Sequence, residues 1–471
     1  MYISRLALDH YRSWSQVVVD FVPGVNILVG RNGLGKTNLV EAVEVLSTGA
    51  SHRTSGTLPL IERGQPTATI RANVVFDDDP SDETTYEAAI HARGANRARI
   101  NSGKSLYLRD IIGQIPSVSF TPEDQRLVAG DPGARRAMLN QAGALLEPGY
   151  SAALQQFTRI GKQRATLLKQ IGANANTGVP VDAALSGLEI WTGQFIEAGM
   201  ALTRMRRRVI DLLAEPFAAI YEQLASQAGA VRLTYAPSFE EVLLYDDPHP
   251  AISEHFQRIY PGEVARGVNL IGPQRDDMEL ELDGMAAREF ASNGEMWTMA
   301  LALKMALFQV VRERLGVKPI VILDDVFAQL DDNRRRQILD FAGKQDQVLV
   351  TVAAEGDVPA HRDAHLIDVA ALVAPDPNER LVSELLSGLR EKRNASSEWG
   401  EEGRVVGESD RSASEADASP ALIPAVAEPA VDDSPKAGRD VDAEPGRAGD
   451  VVNSSADSSA ADEKPVGKDA A

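Results

Sequence analysis

The 471-residue chain contains no cysteine. That excludes disulfide staples, thiolate metal sites and a cysteine nucleophile, and it fits a reducing cytoplasm. Long apolar runs are missing too: nowhere do about 18 apolar residues follow one another, and no charged-then-apolar leader follows Met1. The chain therefore reads as soluble, unexported and cytoplasmic, in the nucleoid if DNA is its partner. Positive charge is also short. A formal net charge of −20 argues against nucleic acid, because Lys and Arg drive association with phosphate backbones. The deficit is uneven, however. Between Glu391 and Ala471 stand 19 acidic and 9 basic residues, a net of −10. This stretch is poor in aromatics and rich in Ala, Ser, Asp, Glu, Pro and Gly, and it cannot bury enough apolar surface to offset its ordering entropy. It is expected to be a disordered tail over 376–471.

The remainder is long enough for two or three domains. Alternating apolar residues over Tyr2 to Leu8 and Val17 to Phe21 read as half-buried strands, and Pro23-Gly24 breaks them. Val25 to Val29 reads as a buried strand. Further alternation at Thr67 to Phe76, Thr84 to Ala92 and Arg97 to Ile100 suggests antiparallel strands. From about Pro132 to Glu240 the pattern is helical, with long runs at Ala134 to Leu146, Tyr150 to Ile171 and Val181 to Gln227. Alternation returns at Val231 to Tyr235, a short mixed region follows, and Pro319 to Asp325 and Gln347 to Val352 read as core strands. The expected fold is α/β. It is expected to comprise one lobe built from 1–125 and 266–375, an inserted and mainly helical lobe over 126–265, and the tail.

The chemistry begins at Gly30-Arg31-Asn32-Gly33-Leu34-Gly35-Lys36-Thr37-Asn38. The loop lies between an apolar strand and a helical pattern, which is the context a P-loop requires. Its glycines let successive N–H groups turn toward phosphate oxygens, and the following helix adds its dipole. Lys36 would reach the β and γ phosphates of ATP, and the Thr37 hydroxyl would ligate Mg²⁺. A carboxylate on the metal side is expected at the end of another buried strand. Ile320-Val321-Ile322-Leu323-Asp324-Asp325 supplies it, with Asp324 for the magnesium shell and Asp325 for the attacking water.

Ser292-Asn293-Gly294-Glu295 precedes a long apolar helix. Ser followed three residues later by Glu is a capping box, which by itself accounts for Ser292 and Glu295. A helix N-terminus carrying Ser and Gly is also an anion site. Taken in order, the loop, this element and Ile320 to Asp331, with a helical insertion between, look like the ABC-type ATPases of the SMC and DNA-repair class. Finer segments resemble a bacterial recombination branch of that class. They include Ser51-His52-Arg53-Thr54, Phe120-Thr121-Pro122-Glu123-Asp124, Gly130-Asp131-Pro132 with Arg135-Arg136, Gly272-Pro273-Gln274-Arg275-Asp276-Asp277, and Leu330-Asp331. The resemblance spans Met1 to about Val369. Three places depart from it: Asn293 and Glu295 where Gly or Gln is usual, Gln274 where the branch tends to carry His, and Ala328-Gln329 in place of a Ser-Glu pair.

The resemblance implies an ATP-gated homodimer. Each nucleotide would lie between the P-loop of one chain and Ser292, Gly294 and Glu295 of the other, with Asp331 at the seam. It implies weak, DNA-stimulated ATP hydrolysis, DNA as partner at duplexes or single-strand/double-strand junctions, and work with RecR and RecO in loading RecA during repair and replication restart. The candidate phosphate contacts are Arg135, Arg136, Arg204, Arg206, Arg207 and Arg208, with a second basic group at Arg93, Arg97, Arg99 and Lys104. For any one group a solvated helix or strand face is the commoner reading. Two rival readings share the nucleotide motifs: another SMC-like or transporter-type ATPase, and a structural clamp that does not hydrolyse ATP.

Overall fold

The computed structural model describes residues 1–373 apart from 55, 77–81, 175–181, 226–228 and 355–363. The expected acidic tail lies outside the described residues. Along the chain, strands β1 (Tyr2–Tyr11), β2 (Trp14–Asp20) and β3 (Gly24–Val29) lead into helix α1 (Lys36–Thr48). Next come β4 (Thr67–Val75), β5 (Glu83–His91), β6 (Arg97–Ile100), β7 (Leu106–Tyr107) and β8 (Ser117–Phe120). A helical stretch follows: α2 (Arg126–Ala129), α3 (Pro132–Leu146), α4 (Tyr150–Asn174) and α5 (Asp182–Leu224). It is closed by β9 (Val231–Ala236), α6 (Glu241–Leu244) and α7 (His249–Arg266). The last part holds β10 (Asp277–Leu282), β11 (Met285–Ala286), α8 (Ala287–Phe290), α9 (Asn293–Leu315), β12 (Ile320–Asp324), α10 (Asp332–Ala342), β13 (Gln347–Val352) and β14 (His365–Asp368).

The alternating segments form an antiparallel sheet in the order β2-β1-β4-β5-β6-β7. Period-two side chains such as Leu6, Leu8, Ala68, Ile70, Ala88 and Ile90 bury one face of it, and polar residues alternate with them on the other. The continuous apolar runs instead form a parallel sheet, β14-β3-β13-β12-β8. Every residue of β12 and β13 is buried, as expected of strands covered on both faces. Leu28, Ile320, Ile322 and Leu349 pack with α1 and the antiparallel sheet. Their alternates Ile27, Val321, Leu323, Val348 and Val350 pack with α3, α5 and α9 on the other side. The parallel sheet is thus the middle layer.

β9 pairs with β10, so the mainly helical stretch shares a small sheet with the chain that follows it. A short mixed region was expected after β9, but the structure has the 18-residue helix α7. Pro250 falls in its first turn, where a missing N–H costs nothing, and Pro261 interrupts the interior pattern. Arg164, on α4, is buried against Glu263 of α7 at 2.6 and 2.9 Å and lies over the Phe256 ring at 4.7 Å. Among the described residues no helix is long and apolar enough to cross a membrane.

Candidate nucleotide site

β3 delivers the chain into the P-loop, where Gly33 and Gly35 take left-handed φ values of 89° and 90°. Gly35 is required for space as well as for backbone angle. A Cβ there would lie 2.7 Å from Nε1 of Trp14, and the indole donates to the Gly35 carbonyl at 3.1 Å. The tip of the β1–β2 hairpin therefore props the loop from outside. Lys36 turns inward and donates to the Gly30 carbonyl at 2.6 Å and the Arg31 carbonyl at 3.2 Å. Burial lowers its pKa from the ordinary lysine value, against the pull of Asp325 and Asp324.

The sheet order places β13 between β3 and β12, and one residue of β13 joins the two motifs. Thr37 donates to Asp324 Oδ1 at 3.0 Å, and Thr351 donates to the same oxygen at 2.6 Å. Burial raises the Asp324 pKa, while these two hydroxyls oppose the rise. Asp325 takes φ 52°, a left-handed conformation that short polar residues tolerate, and its N–H donates to Thr351 Oγ1 at 3.0 Å. Its carboxylate is exposed. Thr37 and Asp324 present a hydroxyl and a carboxylate oxygen side by side, the hard-donor pair that Mg²⁺ takes alongside phosphate oxygens and water. Among the described residues no group of three His, Asp or Glu could hold a metal alone.

Below the loop, the carboxylates of Glu41 and Glu44 on α1 are buried and fully engaged. Arg12, Arg53 and Ser51 bond Glu41, while His52 at 2.6 Å and Gln141 at 2.6 Å bond Glu44. The Ser51-to-Arg53 segment thus braces α1. Asn38 joins the same brace, donating to Ser13 Oγ at 2.8 Å and accepting from Arg53 at 2.8 Å.

Ser292 caps α9 in the reciprocal arrangement the sequence implied. Its hydroxyl accepts from Glu295 N at 3.3 Å, and its own N–H donates to the Glu295 carboxylate at 2.7 Å; the Ser292 side chain first and this N–H second keep that carboxyl below its ordinary pKa. Asp331 caps α10, accepting from Arg334 N at 2.9 Å, and its carboxylate also bonds the Arg334 guanidinium. Ser292, Gly294, Asp331 and Arg334 line one cleft of about 360 Å³, and no P-loop residue lines it. Deeper in α9, buried Lys304 reaches Asp124 at 3.2 Å and the Ser119 carbonyl at 2.9 Å.

The arginines expected to meet DNA divide sharply. Arg135 is 5% exposed and grips Asp277 through two bonds of 2.6 and 2.8 Å; Arg206 is 2% exposed and bonds Asp276 at 2.7 Å. Arg136 donates to the Asp276 carbonyl at 2.9 Å. For Arg135 and Arg206 the expectation is corrected, since burial and carboxylate partners leave no guanidinium to offer a phosphate; Arg136 is only half-buried. The Asp276-Asp277 segment and the Arg135-Arg136 segment are each other's structural partners. Arg204, Arg207 and Arg208 face solvent, Arg207 paired with Asp211 and Arg208 with Glu147.

Sequence reading missed Trp14, Thr351, Lys304 and Arg334. Only Thr351 carried a visible signal, as a hydroxyl near the end of a core strand.

Residues 2–369 match the family model of the RecF/RecN/SMC N-terminal domain. A DNA replication and repair protein RecF from Bifidobacterium longum subsp. infantis is 82% identical over 80% of this chain and 90% of its own length. Its counterpart from Bifidobacterium adolescentis is 66% identical over 79% and 92%. A solved structure of the recombination mediator protein RecF with ATPrS in the RecFOR pathway superposes with a TM-score of 0.67 at 26% identity, covering 78% of this chain and 96% of that one. The middle parallel sheet, the loop at the end of β3 and these likenesses agree: the chain belongs to the bacterial RecF family of SMC-like P-loop ATPases.

Proposed function

We propose that the protein is an ATP-gated DNA clamp of recombinational repair. The observation that carries the reading is the 3.0 Å bond between Thr37 and Asp324, residues 287 positions apart, which sets a phosphate loop beside a metal-side carboxylate. ATP binds with its phosphates in the loop from Gly30 to Thr37, and Lys36 leaves the loop carbonyls for the β and γ oxygens. Thr37 and Asp324 would hold magnesium, which would supply charge neutralisation for phosphoryl transfer. Asp325, exposed beside that pair, orients the attacking water. Its reach is shorter than that of a glutamate, which suits slow turnover.

Ser292 and Gly294 stand at a helix terminus, in a cleft that no residue of their own chain's phosphate loop lines, and this supports a second copy completing each site. A triphosphate spans both faces where a diphosphate does not, so hydrolysis opens the dimer. The relatives' role in DNA replication and repair extends the reading to DNA binding at duplexes or gap junctions, and to helping RecR and RecO load RecA.

Two substitutions test the core of it. Lys36→Ala removes ATP binding, and Ser292→Arg keeps it but blocks the ATP-dependent dimer in sedimentation. Normal dimerisation of Ser292→Arg would overturn the two-chain site. Absence of magnesium-dependent phosphate release, with and without gapped DNA, would leave a clamp that is not an ATPase.

A further inference from the structure

With Arg135 and Arg206 buried and Arg207 and Arg208 paired with carboxylates, a second basic run stands out. From Ala92 to Arg109 the chain carries Arg93, Arg97, Arg99, Lys104 and Arg109 and no acidic residue, in a protein of net charge −20. This segment comprises the β5–β6 turn and the β6–β7 hairpin, which ends the antiparallel sheet. Arg97 and Arg99 lie on the outward face of β6, opposite buried Ala98. Among the described residues neither Arg93, Arg97, Arg99 nor Lys104 is in an ion pair with a carboxylate. Glu87 lies across from Arg99 but bonds Arg71 at 2.7 Å, and Asp110 stands 3.7 Å from Arg109.

Tyr107 organises the group. The Arg97 guanidinium lies over its ring at 4.2 Å and that of Arg109 at 4.3 Å. Arg109 is further fixed by a 2.9 Å bond to Gln155 of α4. Beside this stack opens a groove of about 480 Å³ between the hairpin and α3–α4, lined in part by Thr48, Asn96, Asn140, Ser151 and Gln155. Cations for phosphates, guanidinium planes for stacking and amide or hydroxyl groups for base edges occur together there.

The geometry points to a single-stranded DNA site on this hairpin. Backbone phosphates run along Arg93, Arg97, Arg99 and Lys104, and an unstacked base enters the groove beside Tyr107. Bases locked in a duplex cannot enter, so the site takes the single-stranded side of a gap. The inference rests on the DNA-binding reading above and adds a location and a strand preference. The chemistry is stacking plus charge, which tolerates any sequence.

The test is fluorescence anisotropy of the full chain with a labelled oligo-dT strand and, separately, a blunt duplex, titrated over a range of salt. The double variant Arg97→Glu/Arg99→Glu is expected to bind the single strand at least tenfold more weakly, with a log–log salt slope shallower by about 1.4 for two lost phosphate contacts. Tyr107→Leu, which keeps the hairpin covered but removes the stacking ring, weakens it by about 2–5-fold. ATP binding by both variants stays at the wild-type level, which shows that they fold. Unchanged affinity and slope for the single strand in the double variant would overturn the site, and so would a loss confined to the duplex. A wild-type chain that binds neither probe would instead overturn the DNA-binding reading beneath it.

Discussion

Arg334 donates through Nη2 to the carbonyl oxygen of Gly294 at 2.8 Å, while Nη1 of the same guanidinium bonds Asp331. One side chain thus ties the first turn of α9 to the cap of α10. A Cβ on Gly294 would stand 2.8 Å from Nη2 and push the guanidinium away. Gly294→Ala and Arg334→Ala are each expected to weaken ATP-dependent dimerisation by about tenfold, the scale of one charge-assisted hydrogen bond, with ATP affinity of the monomer unchanged. The double variant is expected to be no worse than the poorer single one, because both remove the same bond. Additive losses in sedimentation would show that the bond does not couple the two helix ends.

Thr351 donates to Asp324 without lining the phosphate loop, so its role shows as metal affinity. In Thr351→Val the magnesium needed for half-maximal ATP turnover is expected to rise by about 10–100-fold, the usual cost of losing a hydrogen bond that orients a ligand. A magnesium titration of phosphate release reads it directly, and an unchanged midpoint would remove Thr351 from the site.

Arg206 is expected to matter to stability and not to DNA. Arg206→Ala leaves Asp276 buried without its counter-charge and should cost about 3–5 kcal/mol in urea unfolding. Anisotropy on the fraction that remains folded is expected to match wild type. A selective loss of DNA affinity in a variant of normal stability would restore the surface role that burial denies it.

His52 gives the protein a pH dependence of known sign. Burial disfavours its charged form, but the hydrogen bond and charge of Glu44 outweigh burial and raise its pKa; Asp124 helps and Lys304 opposes. A raised folded value means that the folded state binds the proton more tightly than the unfolded one. The stabilisation is therefore complete below about pH 6.5, the unfolded value, and is lost as pH climbs through the folded value. Relative to His52→Asn, wild type should lose its stability advantage on going from about pH 6 to about pH 8. A difference in urea midpoints that stays flat over that range would contradict the pairing.

The loop at Gly30 to Thr37 and the pair Asp324-Asp325 were legible in the sequence because each packs its chemistry into one contiguous run after an apolar strand. Trp14 and Arg334 were not legible. Their importance arises from register and from chain reversals that bring single residues beside distant carbonyls. Thr351 became significant only once β13 lay between β3 and β12, an order that apolar runs do not encode. The arginines misled for a related reason: a run such as Arg206-Arg207-Arg208 on a helix points in several directions, and only packing decides that the first is core. Likewise Pro250 and Pro261 obscured α7, although the completed lobe holds it as a helix through buried Ile252 and Phe256.

The paired segments around Arg135-Arg136 and Asp276-Asp277 have a consequence for how such chains diverge. Losing Asp277 would strand the buried Arg135 guanidinium, and losing Arg135 would strip Asp277 of its two-bond partner, so neither segment can drift alone. What a sequence comparison counts as two separate marks of kinship is, physically, a single inherited lock with its halves about 140 residues apart.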